Sequence, residues 1–198
     1  MKKKNNFINK YFDQIELISK KLNLKKIEDL VYKISHVKKN NGRIFFLGVG
    51  GSAGNCSHAV NDFRKLCNIE SYTPTDNVSE LTARINDEGW KNSFVDWLKA
   101  SNLKKKDAIF IFSVGGGNKK FNVSVNLIKA IDYAAKVKSK IFGIVGKDDG
   151  YLYQKGNNVI LIPNVDKKLI TPYSESFQSV IWHCLVSHPL LQRNKTKW

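Results

Sequence analysis

Two short apolar runs in this chain end in glycine. The first reads Arg43-Ile-Phe-Phe-Leu-Gly-Val-Gly-Gly-Ser52 and continues as Ala53-Gly-Asn-Cys-Ser-His58. The second reads Ala108-Ile-Phe-Ile-Phe-Ser-Val-Gly-Gly-Gly-Asn118. A continuous apolar run of this length fits a strand buried on both faces, as parallel sheets require. Each is expected to pass through its glycines into a helix. The first N–H groups of a helix lack intrahelical partners and carry partial positive charge, so such junctions receive phosphate. Two of them predict a phosphorylated ligand.

The rest of the chain alternates in the same way. Residues 5–38 carry Phe7, Tyr11, Ile15, Ile18, Leu22, Leu30 and Ile34 at helical spacing, with a break expected at 23–26. Further strands are read at 69–72, 140–145 and 158–162. Helices are read from Ser52 to about 66, from 77 to about 86, at 94–98, 123–137 and about 174–186. Strands alternating with helices specify an α/β protein whose parallel sheet is covered on both faces. Such sheets bind ligands at the carboxyl ends of their strands, near a topological switch point. The 198 residues are expected to form one domain, 1–198, with a helical segment over about 1–40 and a last helix near 174–187.

The formal charge of +16 rests on 33 cations against 17 anions. Arginine occurs only at Arg43, Arg64, Arg84 and Arg193. Surfaces that read nucleic acid lean on arginine for bidentate contacts. A solvated lysine coat, or a basic face that steers anionic substrates, is therefore expected, with neither nucleic acid nor membrane as partner. No stretch approaches the roughly 20 apolar residues of a membrane span. Met1-Lys-Lys-Lys is followed by polar residues rather than an apolar signal region. Cys56, Cys67 and Cys184 are odd in number and lack metal-like spacing, so a reduced, cytoplasmic protein is expected.

Gly50-Gly51-Ser52 followed by His58, then Leu81-Thr-Ala-x-x-Asn86-Asp87, then Phe112-Ser113-x-Gly-x-x-Asn118 resembles the sugar isomerase (SIS) family. Within it the likeness is to phosphoheptose isomerases, which convert sedoheptulose 7-phosphate to a heptose phosphate for surface polysaccharide. The resemblance covers about residues 40–190. It implies a three-layer α/β sandwich, with a mostly parallel central sheet, that assembles as a tetramer with active sites between subunits. It places phosphate and sugar binding on Gly51, Ser52, Asn55 and the loop of Ser113, Gly115, Gly116, Gly117 and Asn118. It places catalysis on Asp62, His183 and Asp87. Some phosphoheptose isomerases hold zinc at the positions of His58, Asp62, Glu175 and His183, so zinc is the one cofactor the resemblance permits.

The chain departs from the family pattern where chemistry is concentrated. The second loop, usually Ser-Thr-Ser-Gly-Asn-Ser, has lost most of its hydroxyls. Asp62 stands for a glutamate, Glu175 for a glutamine, and Gln178 for a second histidine present in many members. Aldose–ketose isomerisation needs a base beside the carbonyl and an acid for the enediol oxygen. His58 and Asp62, four apart, share a helix face, as nearly do Glu175 and His183, eight apart. The alternative reading is a non-catalytic SIS protein that binds a phosphosugar as sensor or scaffold. A dinucleotide site fits poorly, since Gly48-Val-Gly50-Gly51 does not continue as Gly-x-Gly-x-x-Gly.

Overall fold

The computed structural model describes residues 6–196, so Met1-Lys-Lys-Lys lies outside the described residues. Two helices, α1 (Phe7–Lys21) and α2 (Leu24–Lys39), precede the first strand. The break between them falls at Asn23, whose side chain accepts from the Lys26 N–H at 3.0 Å and so caps α2. There follow β1 (Ile44–Leu47), α3 (Gly51–Cys67), β2 (Ser71–Tyr72), α4 (Val78–Glu88) and α5 (Ser93–Ala100). Then come β3 (Ala108–Ser113), α6 (Val125–Lys136), β4 (Lys140–Val145), α7 (Tyr151–Lys155), β5 (Asn158–Leu161) and α8 (Ile170–Ser187).

The five strands pair in parallel in the order β2-β1-β3-β4-β5. The switch point therefore lies between β1 and β3, the strands that lead into the two glycine junctions. Alternate residues of each strand feed two cores. Phe46, Phe110, Phe112, Phe142 and Ile144 pack with α2, α3 and α8. Phe45, Ile109, Ile111 and Ile141 pack with α5, α6 and α7 on the other face. This three-layer arrangement follows from the unbroken apolar strands, since every side chain needs a helix over it. Phe46 stacks on Phe110 at 5.4 Å, and both are fully buried. Each contributes about 1.5–3 kcal/mol of burial.

The starts of β1 and β3 are tied by one charged pair. Asp107 is fully buried and accepts from the Arg43 guanidinium at 2.8 Å. It also accepts from the Arg43 N–H and the Lys104 N–H, each at 2.9 Å. Burial pushes the Asp107 carboxyl up, but these donors outweigh it and hold the group below its ordinary value. The same contact raises Arg43.

Some boundaries differ from expectation for identifiable reasons. The last helix starts at Ile170 rather than 174. Pro172 sits in its first turn, where the missing N–H has no intrahelical partner to lose. The expected helix over 123–137 starts only at Val125, after Ser124 adopts a left-handed conformation. The short helix α7 was not read from the sequence.

Candidate functional site

The first glycine junction opens a helix directly. Gly50, with φ of 64°, precedes α3, and no side chain caps it. Ser52 is buried, and its hydroxyl accepts from the Gln178 amide at 3.1 Å. Asn55 donates to the Gln178 amide oxygen at 3.0 Å and to the Glu175 carbonyl at 2.9 Å. These bonds fix the first turns of α3 against α8. The Glu175 carboxylate lies over the same helix start, since a Cβ built on Gly51 would sit 2.6 Å from its Oε2. The chain thus carries its own anion at the positive end of α3.

Farther along the α3–α8 seam, His58, Asp62 and His183 meet. Their ligand atoms lie within 4.8 Å of one another. His183 Nε2 is 3.9 Å from Asp62 Oδ2, and the two imidazoles cross at 5.4 Å. His183 Nδ1 lies 2.8 Å from the Ser179 carbonyl, which can only accept, so Nδ1 donates there and Nε2 is the nitrogen facing Asp62. Asn61 donates to the other Asp62 oxygen at 2.8 Å. Trp182, fully buried, packs against both histidine rings at 4.7 and 3.5 Å. Two imidazoles and a carboxylate, one imidazole oriented through its second nitrogen, are a donor set suited to zinc. Glu175, the fourth residue expected with them, is not in this group. It lies about two helical turns before His183, facing Gly51.

The second junction behaves differently. The Ser113 hydroxyl accepts from the Gly116 N–H at 3.0 Å, closing the loop on itself. Gly116 and Gly117 have φ of 69° and 81°, a conformation closed to most side chains. Instead of opening a helix, the chain makes an excursion in which Asn118 and Val123 pair across an isolated bridge. The Asn118 side chain accepts from the Phe121 N–H at 3.1 Å. The expectation that this junction opens a helix is therefore corrected: six residues and a left-handed Ser124 intervene before α6. Gly115 remains half-exposed, with open space where a Cβ would point.

Asp87 lies exposed in the last turn of α4 and accepts from the Asn86 side chain at 2.7 Å. Among the described residues it makes no hydrogen bond or ion pair to the other candidates. Sequence reasoning overlooked the segment after β4. Gly146 donates to the Val114 carbonyl at 2.9 Å, and Gly150 abuts the Gly115 carbonyl. This segment, through residues 146–149, helps line a cavity of about 690 Å³ that also includes Lys167 and Ile170. Its sequence, Gly146-Lys-Asp-Asp-Gly150, is a turn signal that could have been read. Ser179 was also missed; its position four residues before His183 is the available clue.

A family model described as the SIS domain matches residues 7–146. The chain belongs to the SIS domain family. The matched span covers both glycine junctions, His58, Asp62 and Asp87. Among curated relatives, the phosphoheptose isomerase of Helicobacter pylori (strain ATCC 700392 / 26695) is 23% identical over 167 residues, covering 82% of this chain and 83% of that protein. The phosphoheptose isomerase of Glaesserella parasuis serovar 5 is 29% identical over 181 residues, with coverage of 89% and 86%. Among solved structures, phosphoheptose isomerase GmhA from Neisseria gonorrhoeae superposes with a TM-score of 0.78 at 18% identity, covering 91% of this chain and 95% of that one. That likeness establishes the SIS fold.

Proposed function

We propose that this SIS protein is a phosphosugar isomerase resembling sedoheptulose 7-phosphate isomerase, acting in heptose supply for a surface polysaccharide. The observation that carries the reading is the His58–Asp62–His183 group on the seam that leads from the first glycine junction. In the reaction, a base takes the proton from the carbon beside the carbonyl while an acid protonates the carbonyl oxygen. The enediol collapses with the opposite transfers, so no atom is gained or lost. Asp62 is the base and His183 its partner. The Ser179 carbonyl engages the His183 Nδ1–H, so Nε2 is the nitrogen that gives the proton to the carbonyl oxygen and takes it back as the enediol collapses. Zinc, where bound, would be held by His58, Asp62 and His183 and would supply polarisation of the carbonyl oxygen.

Phosphate is held by the Ser113–Asn118 loop, where Gly115 leaves backbone unobstructed. Asn55 and Ser52 hold the sugar end. The cytoplasm is the proposed compartment, and a homotetramer the proposed assembly. Asp87 belongs to this reading as a group reaching a site completed by a neighbouring subunit. Phe7, Ile8 and Phe12 on α1 and Val180 on α8 are each more than half exposed, which supports self-association.

Exchange of the substrate proton beside the carbonyl, followed by NMR in D₂O with sedoheptulose 7-phosphate, tests the proposal. Exchange supports the isomerase. Its absence alongside clear binding moves the protein to the second reading, a non-catalytic phosphosugar binder. Two observations favour that reading: the Ser113 hydroxyl already accepts from the Gly116 N–H, and an anion already faces Gly51. Calorimetry with the same sugar lacking its phosphate decides the remaining point. Equal affinity for the two sugars would remove the phosphate cradle.

A further inference from the structure

The amino-terminal edge of the sheet, opposite the site, holds a small half-open hollow of about 280 Å³. Its wall comes from Lys33, His36 and Val37 of α2, from Lys105 and Lys106 before β3, and from Lys140 at the start of β4. Val37 is buried, so the floor is apolar, and the lysine stems extend that apolar lining while their ammonium groups reach the rim. Lys33 is paired with Asp29. Lys105, Lys106 and Lys140 are exposed, and none has a carboxylate partner among the described residues. Asp107, the acid nearest in sequence, is consumed by Arg43. The end of α2 brings about half a negative charge, too little to neutralise three ammonium groups.

An apolar hollow bordered by surplus ammonium groups calls for an anion with an apolar or aromatic body. We propose that this hollow binds a nucleoside di- or triphosphate, with the base in the hollow and the phosphates on Lys105, Lys106 and Lys140. Its size lies near the lower end for organic ligands, about 300 Å³, and admits one ring system. A sugar phosphate would leave the apolar floor empty. A nucleic-acid strand would find one ring-sized hollow rather than a continuing groove. β3 and β4 lead from this edge to Ser113 and Gly146, so the hollow lies roughly 20 Å from the phosphate loop at about 3.3 Å per strand residue.

Calorimetry at physiological salt with ADP, and separately with pyrophosphate and adenosine, tests the assignment. ADP should bind at least about tenfold more tightly than either half, because the hollow and the ammonium groups each hold one part. Lys105→Glu with Lys140→Glu should weaken ADP at least about tenfold. Lys119→Glu with Lys120→Glu, an equal charge change beside the phosphate loop, should leave it within about twofold. Equal losses in the two variants would mean general attraction to the lysine coat. A loss only in the second would put ADP on the phosphate loop. Either result, pyrophosphate binding as well as ADP, or no ADP binding to the unaltered protein, overturns the proposal. Melting temperatures of both variants check the fold. Should the glutamates unfold the chain, Lys105→Gln carries the test, with a weaker loss expected at that site.

Discussion

The two glycine junctions look alike in sequence and differ in what they do. At the first, Gly50 and Gly51 feed straight into α3, and the helix start faces the Glu175 carboxylate. At the second, Ser113 closes a compact loop, and α6 begins only at Val125. The first therefore positions side chains along a helix: Ser52, Asn55, His58 and Asp62 follow at helical intervals. The second presents mainly backbone. A strand–glycine signature fixes where a ligand can approach; the residues after the glycines decide what meets it.

The largest effect should strike both junctions together. Asp107→Ala removes the buried partner of Arg43 where β1 and β3 begin, and should cost about 3–5 kcal/mol, as breaking buried pairs does. Urea denaturation measures this, and a loss under about 1 kcal/mol would show that the strands need no such tie. Acid acts through the same group. Because the folded Asp107 carboxyl sits below its ordinary value, its contribution is complete above an unfolded value of about 3.9. It is lost as pH falls through the lower folded value. Asp107→Asn should flatten the low-pH end of the stability curve.

Next come changes that separate the junctions. Asp62→Asn and His183→Gln, on the seam of the first, should each lower turnover at least about 10²-fold while leaving most ligand affinity, as loss of a positioned acid or base does. If turnover survives either change within about threefold, that residue does not move the proton. At the second, Gly117→Ala should cost about 1–3 kcal/mol of stability, because φ is 81° and the new Cβ would lie 2.9 Å from Ile128. Gly115→Ala, with open space around it, should stay within about 0.5 kcal/mol of wild type in the same urea experiment. Equal costs for the two alanines would contradict the folded-loop geometry. One change has the opposite sign. Gly54→Ala lies inside α3 with nothing within 4 Å of the new Cβ, so it should stabilise by about 0.5–1 kcal/mol.

Much of this is legible in the residue order alone. The sheet, its two-sided cover, the break at Asn23 and the pairing of His58 with Asp62 all follow from short-range periodicity, which the backbone imposes residue by residue. The family likeness carried His183 to the same place, and the structure brings it to Asp62. Glu175 was less tractable. Spacing of eight residues puts it nearly on the His183 face of α8, yet its carboxylate faces Gly51 because α3 and α8 cross closely there. The hydrogen bonds of Gln178 to Ser52 and Asn55 depend on the same crossing.

The sequence by itself determined which segments are strands and which helix faces turn inward, and it predicts a ligand at the carboxyl ends of β1 and β3. Those outcomes rest on local torsions and on apolar burial, both written in residue order. Only the tertiary structure decided that the Ser113 hydroxyl turns inward to Gly116, that the segment after β4 lines the large cavity, and that lysines from three separate segments surround one hollow. The first depends on the left-handed turn at Gly116, and the last two join groups far apart in the chain. Their meeting depends on how layers stack and cross, for which residue spacing carries no measure.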